Sequence, residues 1–314
     1  MSREELTKQL RSEIEILLAP ISDESSLYNL VKQPLSKIMQ DSDYEHAWFL
    51  LPLIVCDASC GRYDQAMSAC AGLELLKAAA EVFDDIEDAD SADSLPSKYG
   101  TPLALNAAST LIILGERAFT RLKSRGIDNV VVVNLIDKVN SYYSTACIGQ
   151  HLDLSLTPEE AVQEDIYLRV IEMKSASILE CACFSGALLA AANQELIKSF
   201  TIFGHNLGMA SQIANDIKGV RHLNDIKKRK ITLPAIYALS QTDGETLRLL
   251  QTAFCKRPSG FLSTPDQIKD LLFSTGAIQY ATIKMELYKQ QALHTLAKLE
   301  QAGVKVDQLK QFLE

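Results

Sequence analysis

Residues Gln65–Asp90, QAMSACAGLELLKAAAEVFDDIEDAD, are the most informative stretch of the sequence, because an apolar helical pattern there ends in a run of acids. Apolar residues recur three and four positions apart, which predicts a helix with one buried face. In that helix Asp84 and Asp88 share a face, and Asp85 lies about 100° round it. Carboxylates this close repel one another unless a cation such as Mg²⁺ binds among them. A solvated acidic helix end is the plainer alternative for this stretch alone.

A second apolar helical pattern also ends in oxygen-bearing side chains. Gln212 is followed by Asn215 and Asp216, and the cationic run Lys227–Lys230 comes shortly after them. If this helix faces the first, the side-chain oxygens of both helices and nearby lysines meet at the open end of the space between them, here called the mouth: Asp84, Asp85, Asp88, Asn215, Asp216, Lys174 and Lys230. Metals and lysines stabilise the charge that grows on a departing diphosphate, and apolar helix faces below exclude water from a carbocation. The pattern therefore indicates chemistry on a diphosphate.

The rest of the chain follows the same helical spacing. Long proline-free segments with this pattern occupy residues 63–91, 103–124, 128–154, 165–193 and 196–219. The 14 glycines and 9 prolines among 314 residues are too few for a many-turned β-sandwich or barrel. No repeat or long polar linker divides the sequence. We therefore predict an all-α fold, with residues 1–314 as a single domain: a bundle of long antiparallel helices around a central apolar cavity.

Composition narrows the class of protein further. A net charge of −9 argues against nucleic-acid binding, which needs clustered cations. The 7 cysteines are odd in number and include no CxxC pair, so we expect buried thiols in a reducing compartment. The polar start lacks the apolar core of a signal peptide, and the apolar runs are shorter than the roughly 20 residues of a membrane span. We expect a cytoplasmic protein without stable membrane insertion.

Taken together, these motifs resemble the trans-isoprenyl diphosphate synthase (polyprenyl synthetase) superfamily. The resemblance runs over about residues 44–300 and rests on these segments: Leu73–Leu76, Asp84–Asp88, Leu105–Ala107, Gly149–Asp153, Met173–Ala176, Phe203–Gly208 and Lys230–Pro234. It implies the isoprenoid synthase fold, a homodimer, an allylic prenyl diphosphate as substrate and about three Mg²⁺ ions when diphosphate is bound. By the same resemblance the metal ligands are Asp84, Asp85, Asp88, Asn215 and Asp216. The diphosphate contacts it implies are Lys174, Gln212, Arg229 and Lys230.

The sequence departs from chain-extending members of this superfamily at the second substrate's site. Those members hold isopentenyl diphosphate with a GGKRxRP segment, whereas His46–Pro52 reads HAWFLLP, without lysine or arginine. The Arg-Arg pair that normally follows the first aspartate motif is also missing. Lys77, where chain extenders commonly have histidine, is expected to be a local counter-charge. Replacing charged phosphate contacts by apolar groups weakens anion binding, so we predict no isopentenyl diphosphate site.

The second aspartate motif is incomplete. Its usual DDxxD appears here as Asn215-Asp216-Ile217-Lys218-Gly219, with glycine in place of the last acid. Asn at the first position is typical of class I terpene synthases, but their Ser and Glu positions fall on Gly219 and Leu223. We expect metal binding on this side either to be weaker or to recruit Asp225.

The fate of the prenyl cation remains open between several outcomes. Cyclisation, as in isoprenyl-synthase-like terpene synthases, ranks first, because the rings of Trp48 and Phe49 can stabilise a cation. The alternative is transfer to a peptide tryptophan or another acceptor, as in the ComQ family, which the chain resembles at Gly276–Tyr280 and Glu286–Gln290. Chain elongation is a further alternative. A non-catalytic regulatory subunit is a last one, but such subunits usually lose the first motif, which is kept here.

The depth of the cavity is expected to depend on small residues before Asp84. Superfamily members that stop the chain early carry bulky aromatics at the positions of Ala79 and Ala80. Alanines do not block the cavity at this depth, so we expect a substrate with a C15 or C20 prenyl chain. Phe83 and Gln150 complete the predicted lining of the cavity.

Overall fold

The computed structural model describes residues 2–39, 48–88, 93–157, 162–255 and 264–314, without the side chains of Lys37 and Asp88. Within these residues the secondary structure is helical and no β-strand occurs. This confirms the predicted all-α class.

The helices follow one another through short turns. Their bounds are α1 Arg3–Leu18, α2 Ser25–Lys32, α3 Ser36–Met39, α4 Leu51–Cys60, α5 Met67–Asp88, α6 Leu95–Tyr99, α7 Thr101–Thr120, α8 Asn129–Ser155, α9 Glu164–Ile171, α10 Ser177–Leu189, α11 Gln194–Arg221, α12 Asn224–Lys228, α13 Leu233–Gln241, α14 Gly244–Phe254, α15 Pro265–Ser274, α16 Ala277–Gln301 and α17 Asp307–Lys310. Short 3₁₀ turns at Ala19–Ile21, Trp48–Leu50, Tyr63–Ala66 and Arg121–Arg125 adjoin these helices. A π turn, Glu172–Ala176, joins α9 to α10.

Two clusters of buried apolar side chains form the core. The larger one lies among α1, α4, α5, α7, α8 and α10, where α5 packs on α7 and α10 packs on α4. The smaller one lies among α9 and α11 to α16, and α11 packs along α16. Val82, beside the first aspartate motif, belongs to the larger cluster, whereas Ile217, beside the second motif, belongs to the smaller one. The two acidic helix ends are therefore held by different parts of the core.

A buried carboxylate ties α1 to the first of these clusters. Glu13 accepts hydrogen bonds from Arg121 Nε at 2.9 Å, Arg125 at 2.7 Å and Ser68 Oγ at 2.7 Å. Burial raises the pKa of Glu13, but the hydrogen bonds from Arg121 and Ser68 and the two positive charges outweigh it and lower the pKa. Glu13 is thus ionised and links three segments of the chain.

The cysteines are free thiols, and most of them are buried. Cys56, Cys70, Cys181 and Cys183 lie inside the core, as predicted, and burial raises the pKa of Cys181 to about 12. The prediction is wrong for Cys60 and Cys147, which are exposed, because their helix positions fall on the outer face. None of the described helices has the length and apolar character needed to cross a membrane.

Candidate active site

Lys174 connects the first aspartate motif to α8. Its ammonium nitrogen lies 3.0 Å from Asp84 Oδ1 and donates a hydrogen bond to Asp153 Oδ2 at 3.2 Å. Burial lowers the pKa of Lys174, but the charges of Asp84 and then Asp153 outweigh it, so the pKa lies above its ordinary value. A permanent positive charge therefore lies beside the carboxylates at the end of α5. The sequence predicted Asp84 and Lys174 here, but not the role of Asp153.

The π turn that carries Lys174 fits between two glycines. A Cβ atom on Gly149 of α8 would lie 2.5 Å from the backbone nitrogen of Lys174. A Cβ atom on Gly208 of α11 would lie 2.5 Å from the Cα atom of Ala176. Real side chains cannot approach so closely, so only glycine allows the turn to lie against both helices. π turns inside α-helices are often found at functional sites, and this one directs Lys174 toward Asp84.

Gln150 lies at the same end of α8. Its Nε2 donates a hydrogen bond to Glu87 Oε2 at 2.8 Å, next to the first motif. Its Oε1 is buried and accepts no hydrogen bond from the residues that the structure describes. An oxygen acceptor is thus available beside the carboxylates. The structure brings Gln150 to the mouth rather than to the apolar lining that the sequence suggested.

Asp85 lies on a different side of α5 from Asp84. It lines a cavity of about 310 Å³ together with Glu81, Asp93 and Lys98. Lys98 is paired with Asp93, their charged atoms being 3.4 Å apart. The structure therefore brings Asp84, but not Asp85, to Lys174. The side chain of Asp88 lies outside the described part of the chain, so its predicted role stays a prediction.

The second motif is anchored inward by Asp216. Only 4% of this residue is exposed, and its carboxylate accepts hydrogen bonds from the Tyr167 hydroxyl and from Gln212 Nε2, the latter at 2.9 Å. Burial raises the pKa of Asp216 to about 7, against the opposing effect of these two hydrogen bonds. Gln212 Oε1 in turn accepts a hydrogen bond from Ser175 at 2.9 Å, next to Lys174. Gln212 thus links the second motif to the π turn.

Asn215 and Asp225 have the more accessible oxygens on this side. Asn215 is exposed on α11, and Asp225 is half-buried on α12. Burial raises the pKa of Asp225, and the charges of Lys230 and Lys228 act against that increase. Both lysines are therefore close to this carboxylate. Arg229 instead donates a hydrogen bond to the backbone carbonyl of Thr252, at the junction with α14.

The aromatic residues at the start of α4 line a second, smaller cavity. It measures about 60 Å³ and is bounded by apolar and aromatic side chains with one acid and one lysine: Trp48, Phe49, Pro52, Cys70, Leu73, Glu74, Lys77, Tyr143, Ile178, Leu179 and Ala182. Lys77 pairs with Glu81 at 2.6 Å and lies 4.0 Å from Glu74, as expected for a local counter-charge. Trp48 also stacks on Phe312, with ring centroids 5.2 Å apart. Trp48 and Phe49 thus line a cavity, and their role towards a prenyl cation stays a prediction.

The two alanines before Asp84 point in different directions. Ala79 is buried in the larger core cluster, and Phe83, one turn later, is half-buried against the same cluster. Ala80 is exposed and shares a helix face with Lys77 and Asp84. The structure therefore leaves Ala80, rather than Ala79, on the side of the site. The cavity lined by Trp48 and Phe49, at about 60 Å³, is well below the roughly 300 Å³ of common ligand sites.

The donor atoms at this mouth suit a hard cation. Carboxylate oxygens of Asp84 and Asp153 lie beside Lys174, Gln150 adds an orphaned amide oxygen next to the first motif, and Asn215 and Asp225 belong to α11 and α12, which carry the second motif. Among the described side chains, no three His, Cys, Asp or Glu residues form a metal site by themselves. Mg²⁺ accepts such sparse ligation, because it keeps waters and takes oxygens from substrate phosphates. The residues present therefore fit Mg²⁺.

Sequence comparisons find relatives over most of the chain. The family model described as Polyprenyl synthetase matches residues 49–269. Tryptophan prenyltransferase ComQ from Bacillus spizizenii is 26% identical over 243 residues, which cover 76% of this chain and 82% of that protein. Geranylgeranyl diphosphate synthase from Sulfolobus acidocaldarius is 28% identical over 268 residues, which cover 79% of each chain.

Solved structures share the fold. A crystal structure of a geranylgeranyl pyrophosphate synthase superposes with a TM-score of 0.84 at 18% identity, covering 100% of this chain and 97% of the other. The geranylgeranyl pyrophosphate synthase from Corynebacterium glutamicum, complexed with isoprenyl diphosphate and magnesium, has a TM-score of 0.78 at 19% identity, covering 99% and 95%. These superpositions confirm the predicted bundle architecture.

Proposed function

The chain belongs to the polyprenyl synthetase family, as its motifs predict, and from that premise we propose that it is a Mg²⁺-dependent enzyme that ionises an allylic prenyl diphosphate. We propose further that the prenyl cation is captured by an acceptor that carries no diphosphate. The acceptor we favour is an aromatic side chain, a peptide tryptophan foremost.

The ionising half of the reaction is assigned to the mouth between α5, α8 and α11. Mg²⁺ bound there supplies positive charge to the leaving diphosphate. Asp84 and Asp153 hold Lys174 in place, and its ammonium group adds a fixed cation that needs no reorganisation as charge develops. Gln212 accepts a hydrogen bond from Ser175 and donates one to Asp216, which fixes the end of α11 relative to the π turn that carries Lys174. Asp88 and Lys230 complete the proposed set, and Asp85 and Arg229 would join it only if their side chains leave the positions described above.

The observation that carries the proposal is the scarcity of cations in the two cavities that flank α5, where an acceptor could bind. Among the described side chains, Lys77 and Lys98 are the cations that line the two cavities flanking α5. Each is already paired with a carboxylate, and the larger cavity also contains Glu81 and Asp85. Anion binding by a single lysine amid acids is unfavourable, because the carboxylates compete and repel, whereas at the mouth the proposed Mg²⁺ offsets that effect. An uncharged acceptor meets no such penalty.

The relatives and the cavity lining favour an aromatic acceptor. Tryptophan prenyltransferases named ComQ match three quarters of the chain. Trp48, Phe49 and Tyr143 line the smaller cavity, and aromatic side chains favour contact with another aromatic group. Glu74, which is 8% exposed, provides a carboxylate at the same cavity that can accept a hydrogen bond from an indole N–H.

Cyclisation of the cation is the second candidate. The same rings of Trp48 and Phe49 favour it, since aromatic faces stabilise a positive charge. We rank it second because relatives named tryptophan prenyltransferase match three quarters of the chain. Chain elongation is disfavoured because each of the two cavities, in the part of the chain that the structure describes, has one lysine among acids for the diphosphate of isopentenyl diphosphate.

We also propose that the protein is a homodimer, as its family resemblance implies. Helices α7 and α8 contact each other and expose large apolar side chains to solvent: Leu103, Leu105, Ile112, Ile113, Val130, Val133 and Ile148. A second copy of the chain would remove this area from water, which is favourable at about 25 cal/mol per Å².

Product analysis distinguishes the candidates. The purified protein is incubated with Mg²⁺ and geranyl, farnesyl or geranylgeranyl diphosphate, alone, with isopentenyl diphosphate, or with a tryptophan-containing peptide. A peptide that gains one prenyl group supports the proposal. A hydrocarbon or alcohol formed from one allylic substrate alone supports cyclisation instead. Longer prenyl diphosphates, formed only when isopentenyl diphosphate is added, would overturn both, and no pyrophosphate release under any condition would overturn the ionising step itself.

A further inference from the structure

The carboxylate of Asp225 occupies the space that a side chain at position 219 would fill. A Cβ atom on Gly219 would have Asp225 Oδ1 at 2.5 Å as well as that residue's other carboxylate atoms as its nearest neighbours. No L-residue other than glycine fits there while Asp225 keeps this position. Gly219 is the place where the second motif of the family has its last acid.

The backbone holds Asp225 in this position. Its short helix, α12, is bounded by Leu223 at φ 65° and Arg229 at φ 58°. Both are left-handed conformations that non-glycine residues rarely adopt, and a bulky residue such as leucine costs free energy there. The backbone N–H of Lys230 donates a hydrogen bond to the carbonyl oxygen of Asp225 at 2.8 Å, which closes the turn. These turns fold α12 back against α11, so that Asp225 lies against Gly219.

The other acid of the second motif, Asp216, is buried. Asp216 has both carboxylate oxygens occupied by hydrogen bonds from Tyr167 and Gln212. Asp225 is half-buried and lies against Gly219, which is three residues after Asp216 and four after Asn215. Those are the spacings at which helix residues share a face. Asp225 thus adds a carboxylate on the helix face where the motif lacks one.

We propose that Asp225 replaces the missing last acid of the second motif, supplying from α12 the metal-binding carboxylate that Gly219 cannot. This inference rests on the proposed function, because it requires the second motif to bind Mg²⁺. It assigns Gly219 a role as well: the glycine makes room for the incoming carboxylate. The two positions then form one unit, so a carboxylate is needed at one of them and either can provide it.

The test measures metal binding and does not depend on turnover. Mn²⁺ replaces Mg²⁺, and its binding in the presence of inorganic pyrophosphate is followed by electron paramagnetic resonance. Asp225→Ala and the closely isosteric Asp225→Asn are expected to bind Mn²⁺ at least about tenfold more weakly than the parent chain. The double variant Gly219→Asp/Asp225→Ala, in which the carboxylate returns to α11, is expected to recover most of that loss. Asp270→Ala, an exposed acid on α15, is the matched control and should bind Mn²⁺ as the parent does.

The outcomes separate the inference from its premise. If the parent chain binds no Mn²⁺ with pyrophosphate, the proposed metal dependence itself is wrong. If the parent binds Mn²⁺ and Asp225→Asn binds it equally well, only the role of Asp225 is overturned. A double variant that folds, as judged by circular dichroism, but binds no better than Asp225→Ala also overturns it, because a relocated carboxylate should restore a ligand.

Discussion

Lys174 is the residue at which the two halves of the mouth depend on each other. Its ammonium group is shared between Asp84 on α5 and Asp153 on α8, so neither carboxylate faces the other without a counter-charge. Because burial is outweighed by these charges, the pKa of Lys174 lies above its ordinary value and the lysine remains protonated at neutral pH. In the proposed reaction the same cation is available to a diphosphate.

We expect Lys174→Gln to lower kcat/KM for an allylic diphosphate by about 30-fold, which corresponds to about 2 kcal/mol for a lost charge-assisted hydrogen bond. Steady-state release of pyrophosphate from farnesyl diphosphate measures it. Lys198→Gln, on the exposed surface of α11, is the control and should change the value by less than about twofold. A Lys174→Gln variant that keeps the parent kcat/KM would contradict the assignment of this lysine to diphosphate binding.

Some residues of the site could be predicted from the sequence and others could not. The spacing of the acids was sufficient to predict Asp84 near Lys174, because both belong to recognisable motifs. It could not indicate that Asp216 turns inward, since its partner Tyr167 is 49 positions away and lies on a helix with no motif of its own. For Asp85 the sequence predicted too much. The run of acids suggested one cluster, but consecutive helix residues are about 100° apart, so Asp84 and Asp85 lie on different sides of α5.

At the scale of elements, helix positions were largely predictable and helix irregularities were not. The predicted segment 128–154 corresponds to α8 at Asn129–Ser155, and 196–219 corresponds to α11 at Gln194–Arg221. The segment 165–193 was expected to be continuous, but it is divided by the π turn at Glu172–Ala176. Nothing in its composition marks that turn. It follows from contacts with Gly149 and Gly208, which lie on other helices.

The link from α1 to the 3₁₀ turn after α7 provides a test of stability. Glu13 is 4% exposed and carries a lowered pKa, because hydrogen bonds and charge from Arg121, Arg125 and Ser68 outweigh burial. An acid whose pKa is lowered in the folded state stabilises it above the unfolded pKa of about 4.3, and this stability is lost as pH falls through the folded pKa.

We therefore expect Glu13→Gln to reduce the free energy of unfolding at pH 7 by about 3 kcal/mol, because two arginines lose their buried partner. The difference from the parent chain should shrink as the pH is lowered below about 4, where the parent carboxylate also becomes neutral. Urea denaturation at both pH values measures it. Glu4→Gln, exposed in the first turn of the same helix, should stay within about 0.5 kcal/mol of the parent at either pH. Equal losses at pH 7 and below pH 4 would show that charge is not the cause.

At the scale of the whole molecule, the two core clusters explain how the mouth is built. The first motif is carried by the larger cluster and the second by the smaller one, and the π turn with Lys174 lies where α8, α10 and α11 meet. A substrate bound to both motifs would contact both clusters. The acid excess of the chain is consistent with this arrangement, since several of its acids are directed at the site.

The exposed face of α7 and α8 is the other feature that belongs to the whole molecule. Ile113 is 67% exposed and Val133 is 66% exposed, on helices that contact each other, and the proposed dimer would bury both.

A carboxylate introduced there would be forced into an apolar interface, where an unpaired charge is costly. We expect Ile113→Asp to shift the protein from dimer to monomer in sedimentation velocity at micromolar concentration, with unchanged helical circular dichroism. Ile283→Asp, at a 60% exposed isoleucine on α16, is the matched control and should remain dimeric. If the parent chain sediments as a monomer, the proposed dimer is wrong. If both variants dissociate alike, or if Ile113→Asp remains dimeric, the dimer does not use this face.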